Sequence, residues 1–284
     1  MNRAWIDVKI SANLDAGELI SRLDDPSVQG SWQDAGVLHL YWAEDQWSQD
    51  CLIRLSATLR ELNESGLLPP LDVDQVPDQD WNRLWAQSVK PLRVGPRLMI
   101  RPSWESVVLE PGEIEIILDP KQAFGTGHHA TTRILLEWLQ EDIRGGETVL
   151  DVGTGSGILA MAALRLGAAR AVGIDHDSVA IECAQEYARM NRFGGELLLR
   201  CGELEGGQSF DLVLANLDRH TLLQLTDRLT SCAKRRLLVS GLLVDQCEEI
   251  AEACSAAGFY PGRKRERDGW LAMEFLPAQS CEGL

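Results

Sequence analysis

The sequence predicts an α/β protein with a doubly wound, mostly parallel sheet, preceded by a small α/β domain. Two observations support this prediction. From about residue 92 onward, apolar strand-like runs alternate with segments that carry apolar residues at helical spacing, which is typical of a parallel sheet covered on both faces. The pattern and composition change before that point, and a chain of 284 residues is long enough for two domains.

The first segment, residues 1–68, is predicted to be the small α/β domain. "WIDVKIS" and "GVLHLYW" alternate apolar and polar residues with the period of a strand. "SQDCLIRLSATLRELNESG" has helical spacing and ends at Gly66. Residues 69–91 are predicted to be a linker, because "LLPPLDVDQVPDQDW" combines three prolines with several acidic residues.

Residues 92–284 are predicted to form the larger sheet. The predicted strands are "RLMIRP", "EIEIIL", "TVLDVG", "AVGIDHD", "ELLLRCG", "FDLVLANL", "RRLLVSGLL" and "WLAMEFL". The predicted helices are "TTRILLEWLQEDI", "GILAMAALRLG" and "SVAIECAQEYARMN". Strands as apolar as these are buried on both faces.

Composition and charge restrict the classes of function. The net charge of −16 argues against nucleic acid as the main partner. Residues 1–80 hold fifteen acidic against five basic residues, an excess that serves either solubility or the steering of a basic macromolecule. The seven cysteines form no C-x-x-C pair, so we expect reduced thiols. Neither a membrane-spanning run nor a signal-peptide pattern is present, so we expect a cytoplasmic protein, and a monomer by default.

A glycine-rich turn follows the strand-like run "TVLDV". It has the form D-x-G-x-G-x-G from Asp151 to Gly157, and a helix-like run begins at Ile158. Glycines let the backbone turn tightly and approach a ligand closely, and ligands of such sheets bind beyond the carboxyl ends of the strands. The next strand ends at Asp175, 22 residues after Gly153, where a carboxylate can accept hydrogen bonds from ribose hydroxyls.

The spacing of these glycines distinguishes between two cofactors. A dinucleotide fingerprint requires G-x-G-x-x-G, and Ile158 occupies the position of its last glycine. The form found here suits a nucleoside without a pyrophosphate, so we expect S-adenosylmethionine rather than NAD. Gly153 and Gly155 are the predicted contacts from the loop, and Asp175 is the predicted contact to the ribose.

A second loop, "DPKQAFGTGHHATT" at residues 119–132, lies one short helix before the glycine turn. It resembles the A-F-G-T-G-x-H-x-T-T pattern of the ribosomal protein L11 methyltransferase family. "PDQDWNRLWAQSVKPLRVGPRLMIRPSW" precedes it, and "VLDVGTGSGILAMAALRLGA", "ANL" and "SGLLVDQ" follow in the order expected for that family. The resemblance extends from about Pro77 to Phe275.

The resemblance implies a Rossmann-like class I methyltransferase domain at residues 92–284. It also implies that residues 1–68 recognise the ribosomal protein and that the second loop closes over the bound donor. The residues that it places at S-adenosylmethionine are Thr132, Gly153, Asp175 and Asn216. Asn216 is further predicted to orient the acceptor amine, and Phe124 to cover the sulfonium and the amine.

Histidines and charged residues near these loops invite other assignments. Without a second convergent cluster of ligands, His128 and His129 predict no metal site. His129 matches the histidine of the family and is expected to hydrogen-bond within its loop, whereas His128 is expected to face solvent. Asp218 and His220 bring polar groups to the acceptor side, where Asp218 either receives the proton of the amine or faces solvent.

The predicted function is methyl transfer to amino groups of ribosomal protein L11, free or on the ribosome. The acceptors would be lysine side chains, the N-terminal α-amine, or both. Methylation of another protein lysine or of a small-molecule amine is the alternative within the same reaction class. Two other classes are an NAD-dependent oxidoreductase, disfavoured by Ile158, and a non-catalytic scaffold, disfavoured by the intact glycine loops and Asp175.

Overall fold

The structure, a computed structural model, describes residues 4–12, 14–34, 36–63, 66–77, 90–119, 127–205 and 207–278. The chain divides into two compact units, Met1–Leu84 and Trp85–Leu284. No helix in these ranges has the length and hydrophobicity that crossing a bilayer requires.

The first unit is a four-stranded antiparallel sheet with two helices. Its elements are β1 (Ala4–Ser11), α1 (Ala16–Leu23), β2 (Val28–Asp34), β3 (Val37–Ala43), α2 (Gln49–Leu62) and β4 (Leu71–Pro77). The strand order is β2-β3-β1-β4, the arrangement of a split β-α-β fold. The helices begin at capping side chains, Asp15 for α1 and Ser48 for α2. Alternate residues of β1, such as Val8 and Ile10, pack in the core.

Strand β4 corrects the prediction of a linker at residues 69–91. Residues 71–77 pair with β1, with Val73 opposite Val8. Of the three prolines that suggested a linker, Pro77 alone lies in β4, at its last residue. It and the acidic residues are compatible with a strand because β4 lies at the edge of the sheet. Its acidic residues alternate, and Asp74 accepts a hydrogen bond of 2.6 Å from Lys9 of β1. Residues 78–89 lie outside the described ranges.

The second unit begins with three short strands and continues as alternating helices and strands. The short strands are β5 (Leu92–Val94), β6 (Leu98–Arg101) and β7 (Ile114–Ile117). The elements that follow are α3 (Ala130–Asp142), β8 (Thr148–Val152), α4 (Ile158–Leu166), β9 (Arg170–Asp175), α5 (Ser178–Met190), β10 (Leu197–Cys201), β11 (Phe210–Asn216), α6 (Arg219–Cys232), β12 (Ala233–Leu243), α7 (Cys247–Ala256), β13 (Phe259–Arg267) and β14 (Trp270–Pro277).

The second unit is built on a seven-stranded sheet with the order β10-β9-β8-β11-β12-β14-β13. β10, β9, β8, β11 and β12 are mutually parallel, and β14 runs antiparallel to both β12 and β13. Helices cover both faces: Val149 of β8 belongs to the same core cluster as Trp138 of α3, and Leu150 to that of Leu222 of α6. The predicted doubly wound, mostly parallel α/β fold is confirmed.

The strand order reverses between β8 and β11, which places a crevice at their carboxyl ends. The chain proceeds from β8 outward to β9 and β10, then returns to β11 on the other side of β8. Val152, Asp175 and Asn216 end β8, β9 and β11 at this edge. The loops that carry the predicted site residues therefore leave the sheet together.

Helix α3 is attached to the antiparallel end of the sheet by ion pairs. The arginines are Arg263, Arg265 and Arg267 of β13, and the acids are Glu137, Glu141 and Asp142 of α3. Alternate residues of a strand share a face, so one side of β13 meets the helix. The guanidiniums of Arg263 and Arg265 also lie 5.0 and 5.6 Å from the centre of the buried Trp138 ring.

Two buried carboxylates are shared within this network. Asp142 accepts from Arg236 and Arg263, each at 2.6 Å. Glu274 of β14 binds the same two arginines at 2.9 and 3.0 Å. Both carboxylate side chains are less than a tenth exposed. Arg236 and Arg263 each pair with both carboxylates. Because buried charges must be paired, removal of either carboxylate would leave both arginines with less neutralising charge.

We expect Glu274→Ala to lower the free energy of unfolding by roughly 3 kcal/mol, because Asp142 would be the one buried carboxylate left to Arg236 and Arg263. The control is Glu249→Ala, which removes a half-exposed partner of Arg219 and should cost less than about 1 kcal/mol. Urea unfolding of both variants measures the difference. Equal losses would show that the buried pairs contribute no more than a surface pair.

Candidate functional site

The glycine turn after β8 requires glycine at several positions. Gly153, Gly155 and Gly157 have φ values of 69°, 53° and 77°. L-residues with side chains rarely adopt these values. The Gly153 N–H donates to the Ile174 carbonyl at 2.9 Å, which holds the start of the turn against the end of β9. A Cβ atom on Gly153 would overlap the Leu217 side chain.

Asp175 ties the end of β9 to the same turn. One carboxylate oxygen accepts from the Gly155 N–H at 2.9 Å, and the other accepts from the Asp177 N–H at 3.0 Å. The residue is 9% exposed. Each carboxylate oxygen can accept more than one hydrogen bond, so Asp175 retains acceptor capacity toward a ligand.

Asp151, the acid that begins the glycine motif, has a role that sequence reasoning did not assign. Its Oδ2 accepts from Thr154 Oγ1 at 2.7 Å and from the Ala160 N–H at 3.3 Å. Within the described part of the chain, Oδ1 has no hydrogen-bond partner although the residue is 1% exposed. Burial raises the pKa of Asp151 to about 6, against the lowering effect of the two hydrogen bonds.

Thr132 and Asn216 are brought together across 84 residues of sequence. Asn216 Nδ2 at the end of β11 donates to Thr132 Oγ1 in the first turn of α3, at 3.2 Å. Thr132 is buried, and Asn216 is partly exposed. Because the donor is the amide nitrogen, the Asn216 carbonyl oxygen is left to accept from another group.

His129 shapes the start of α3. It is the capping residue, and its Nδ1 lies 3.4 Å from the Thr131 N–H and 2.8 Å from Thr131 Oγ1. Its ring packs edge-on against Trp270 with 4.9 Å between ring centres. The predicted hydrogen bonding of His129 is confirmed, and His128 is exposed as predicted.

Two further predictions concern residues on the acceptor side. Phe124 lies outside the described residues, so its place over the donor stays a prediction. Asp218 is the N-cap of α6, where Oδ1 accepts from the Thr221 N–H at 3.0 Å and Oδ2 from the Thr221 hydroxyl at 2.6 Å. It is exposed, and its two oxygens are engaged in holding the helix.

Leu217, which follows Asn216, lies between two glycines. Its N–H donates to the Ser240 carbonyl of β12 at 3.0 Å. The next residue of β12, Gly241, has φ 92°, and a Cβ atom there would overlap the Leu217 carbonyl. The Leu217 side chain lies on Gly153 at the other side. These close approaches set the position of Asn216 relative to the glycine turn.

The glycine turn, a carboxylate and a neutral amide meet at one edge of the sheet. Across the described ranges, no group of three or more His, Cys, Asp or Glu side chains could hold a metal ion. The glycine turn, Asp151, Asp175 and Asn216 lie at the reversal of strand order where such sheets bind ligands.

Comparison with known protein families identifies the chain's relatives. The family model described as ribosomal protein L11 methyltransferase (PrmA) matches residues 11–276. The chain belongs to the ribosomal protein L11 methyltransferase family. The resemblance found in the sequence is confirmed, and the match extends further toward the N-terminus than Pro77.

Individual members of the family have similar sequences over most of their length. The protein named ribosomal protein L11 methyltransferase from Symbiobacterium thermophilum is 40% identical to this chain, over 78% of this chain and 74% of the relative. The protein of the same name from Azotobacter vinelandii is 39% identical, over 86% of this chain and 82% of the relative. A solved structure described as ribosomal protein L11 methylase from Lactobacillus delbrueckii subsp. bulgaricus is 29% identical, with a TM-score of 0.63. It covers 66% of this chain, and 99% of that structure is matched.

The raised pKa of Asp151 predicts a pH-dependent stability. In the folded protein Asp151 keeps its proton to about pH 6, whereas an unfolded Asp loses it near pH 4. The folded state therefore binds more protons in this window. The contribution of Asp151 to the free energy of unfolding is therefore largest below about pH 4. It decreases by roughly 3 kcal/mol as the pH rises to about 6.

We expect Asp151→Asn to remove this decline, because an amide does not titrate. The measurement is the free energy of unfolding in urea from pH 4 to pH 7. Asp177→Asn, which removes an exposed carboxylate at the start of α5, is the control and should keep the decline. Superimposable profiles for wild-type protein and Asp151→Asn would contradict the assignment.

Proposed function

We propose that this protein transfers methyl groups from S-adenosylmethionine to amino groups of ribosomal protein L11. The family match over residues 11–276 and the names of the relatives support the reaction and the substrate. The observation that carries the proposal is the meeting of the glycine turn, Asp175 and the Asn216–Thr132 pair at one edge of the sheet.

The residues at this edge fit the donor. The turn from Gly153 to Gly157 has φ values between 53° and 77°, which glycine adopts without strain, and its main chain is the part that we assign to the donor. We assign the ribose hydroxyls to Asp175. We assign the cationic amino group of the donor to Oδ1 of Asp151, which has no hydrogen-bond partner within the described residues. A positive charge beside Asp151 would favour its ionised form and so offset its raised pKa.

S-adenosylmethionine supplies, when bound, a methyl group activated by the positive charge of its sulfonium. Such a transfer is an in-line displacement, so the contribution of the protein is mainly the positioning of the acceptor. Asn216 is suited to this because Thr132 fixes its amide through Nδ2. Its carbonyl oxygen can then accept from the incoming amine. An uncharged acceptor orients the amine without stabilising the unreactive ammonium form.

The protonation state of the amine favours some acceptors over others. Deprotonating a lysine of pKa about 10.4 at pH 7 costs roughly 4–5 kcal/mol, whereas an α-amino group of pKa about 7.7–8 costs only about 1 kcal/mol. An N-terminal α-amine is therefore an easy acceptor without a dedicated base. Because the oxygens of Asp218 are bound to Thr221, we propose a capping role for Asp218 rather than proton transfer.

We further propose that the first unit recognises L11, with Phe124 covering the reacting groups. The excess of fifteen acidic over five basic residues within residues 1–80 would attract a basic protein and increase the rate of encounter. The proposed setting is the cytoplasm, where a ribosomal substrate is available, and the proposed form is a monomer.

The proposed function predicts transfer of label from S-adenosylmethionine to unmethylated L11, with mass increases in steps of one methyl group. Asn216→Ala should lower kcat by about 100-fold or more, with a smaller effect on donor affinity, because orientation of the amine is lost. Asp218→Asn should change kcat only a few-fold, since Asn also caps helices. If Asp218→Asn were the more damaging change, Asp218 would be the proton acceptor. Intact-mass analysis and steady-state kinetics give these values.

The assignment of Asp175 predicts a loss of donor affinity in Asp175→Ala of about 2–3 kcal/mol, because charge-assisted hydrogen bonds to the ribose are removed. Calorimetric titration with S-adenosylmethionine measures it. Asp177→Ala, which removes the cap of α5 two residues away, should leave donor affinity unchanged. Equal affinities of the Asp175 variant and wild-type protein, or tighter binding of NAD, would refute the donor site.

A further inference from the structure

The loop between β6 and β7 presents large apolar side chains to solvent. Trp104 is 49% exposed, Val108 86% and Leu109 37%. Side chains left in water contribute little to folding, and clustered exposed apolar residues mark interaction sites. The established features of the site do not account for these three residues.

The loop is held in place by side chains from the neighbouring strands. Arg101 Nη1 donates to the carbonyls of Pro102 at 3.2 Å and Glu105 at 2.9 Å. Arg93 Nη2 donates to the Val108 carbonyl at 3.2 Å. These hydrogen bonds fix the main chain on both sides of the exposed residues. The loop that carries the apolar side chains is therefore ordered by side chains of β5 and β6.

The loop adjoins the residue from which the second glycine loop departs. β6 and β7 are parallel, with Arg101 opposite Ile117, so the segments after them leave the same edge. Ser103 donates to the Asp119 carboxylate through its N–H at 2.6 Å and its hydroxyl at 2.9 Å. The stretch that begins at Asp119 ends at Thr132, the partner of Asn216. Trp104 directly follows Ser103, which is hydrogen-bonded to Asp119 at the start of residues 119–132.

The loop also carries uncompensated negative charge. Arg93 is paired with Glu113, and Arg101 with Glu115, each at 2.8 Å. Glu105 and Glu110 are exposed, and Glu110 is near enough to Arg93 to contribute to its raised pKa, although Arg93 is already paired with Glu113. Together with Asp119, which is bound to Ser103, these residues leave a surplus of three carboxylates around Trp104 and Val108, which complements a basic partner.

We propose that residues 102–110 form a docking surface for the segment of the substrate protein that carries the acceptor amine. The chemistry fits a basic segment with an apolar side chain beside the amine: Trp104 and Val108 would bury the apolar group, and Glu105 and Glu110 would face its cations. The inference rests on the proposed function, since it assigns part of the protein-substrate contact to the unit that holds the donor.

The test compares Trp104→Ala with Tyr260→Ala in methyl transfer to L11. Tyr260 is 46% exposed on β13, so it matches Trp104 in exposure and aromatic character. We expect Trp104→Ala to raise KM for L11 by about ten-fold or more, as truncation of a buried interface tryptophan does. Its kcat at saturating L11, its affinity for S-adenosylmethionine and its Tm should stay unchanged, and Tyr260→Ala should match wild-type protein throughout.

A second pair of variants tests the remaining parts of the surface. Val108→Ser should raise KM, whereas Val179→Ser, at an exposed position of α5, should not. Glu105→Gln combined with Glu110→Gln should raise KM at low salt and weaken the dependence of KM on ionic strength.

Several results would overturn the proposal. A KM within two-fold of wild type in Trp104→Ala, beside an active wild-type enzyme, rules out docking and leaves the proposed function intact. An equal loss of donor affinity would mean that the loop supports the donor site instead. A change in oligomeric state with unchanged KM would make a second copy of the chain the occupant. No transfer to L11 by wild-type protein would contradict the proposed function, and the docking surface with it.

Discussion

The candidate site depends on the close approach of Leu217 to two glycines. Gly153 leaves room for its side chain, and Gly241 leaves room for its main chain. The glycine turn and the end of β11 can therefore lie closer together than residues with a Cβ would allow. Asn216, directly before Leu217, is placed by this contact and oriented by Thr132. Close packing of Leu217 on two glycines, through its side chain at Gly153 and its main chain at Gly241, thus relates the glycine turn to the group proposed to receive the amine.

The elements around the site were predictable because local and long-range signals agree there. An apolar strand, a glycine turn and a helix follow one another from β8 to α4, and Asp175 ends the next strand as expected. Four strands, β2, β4, β5 and β13, were not predicted, and β4 and β13 show why. Both are polar and contain proline, and both lie at sheet edges where pairing is determined by partners distant in sequence. For β13, the arginines become compatible with a strand because α3 supplies their carboxylates.

The site was predictable as a set of positions but not as a geometry. The motifs indicated Thr132, Gly153, Asp175 and Asn216, and the structure brings them to one edge of the sheet. The unpartnered oxygen of Asp151 could not be found from spacing, because it depends on which of its neighbours point inward. Gly241 did carry a signal, since a glycine inside an apolar strand indicates a bulge or a close contact. The residue it contacts is known only from the fold.

The ion pairs of α3 have a consequence for the order in which the chain can be completed during synthesis. Arg263 reaches Asp142 across 121 residues, and Arg267 reaches Glu137 across 130. A growing chain therefore releases α3 from the ribosome long before its cationic partners have been translated. We expect the earlier parallel strands to assemble first. During that time α3, which bears Thr132, lacks the arginines of β13 that neutralise its acidic face. The hairpin of β13 and β14, which is distant in sequence from the glycine turn, therefore fixes the position of α3 only after it has been synthesised.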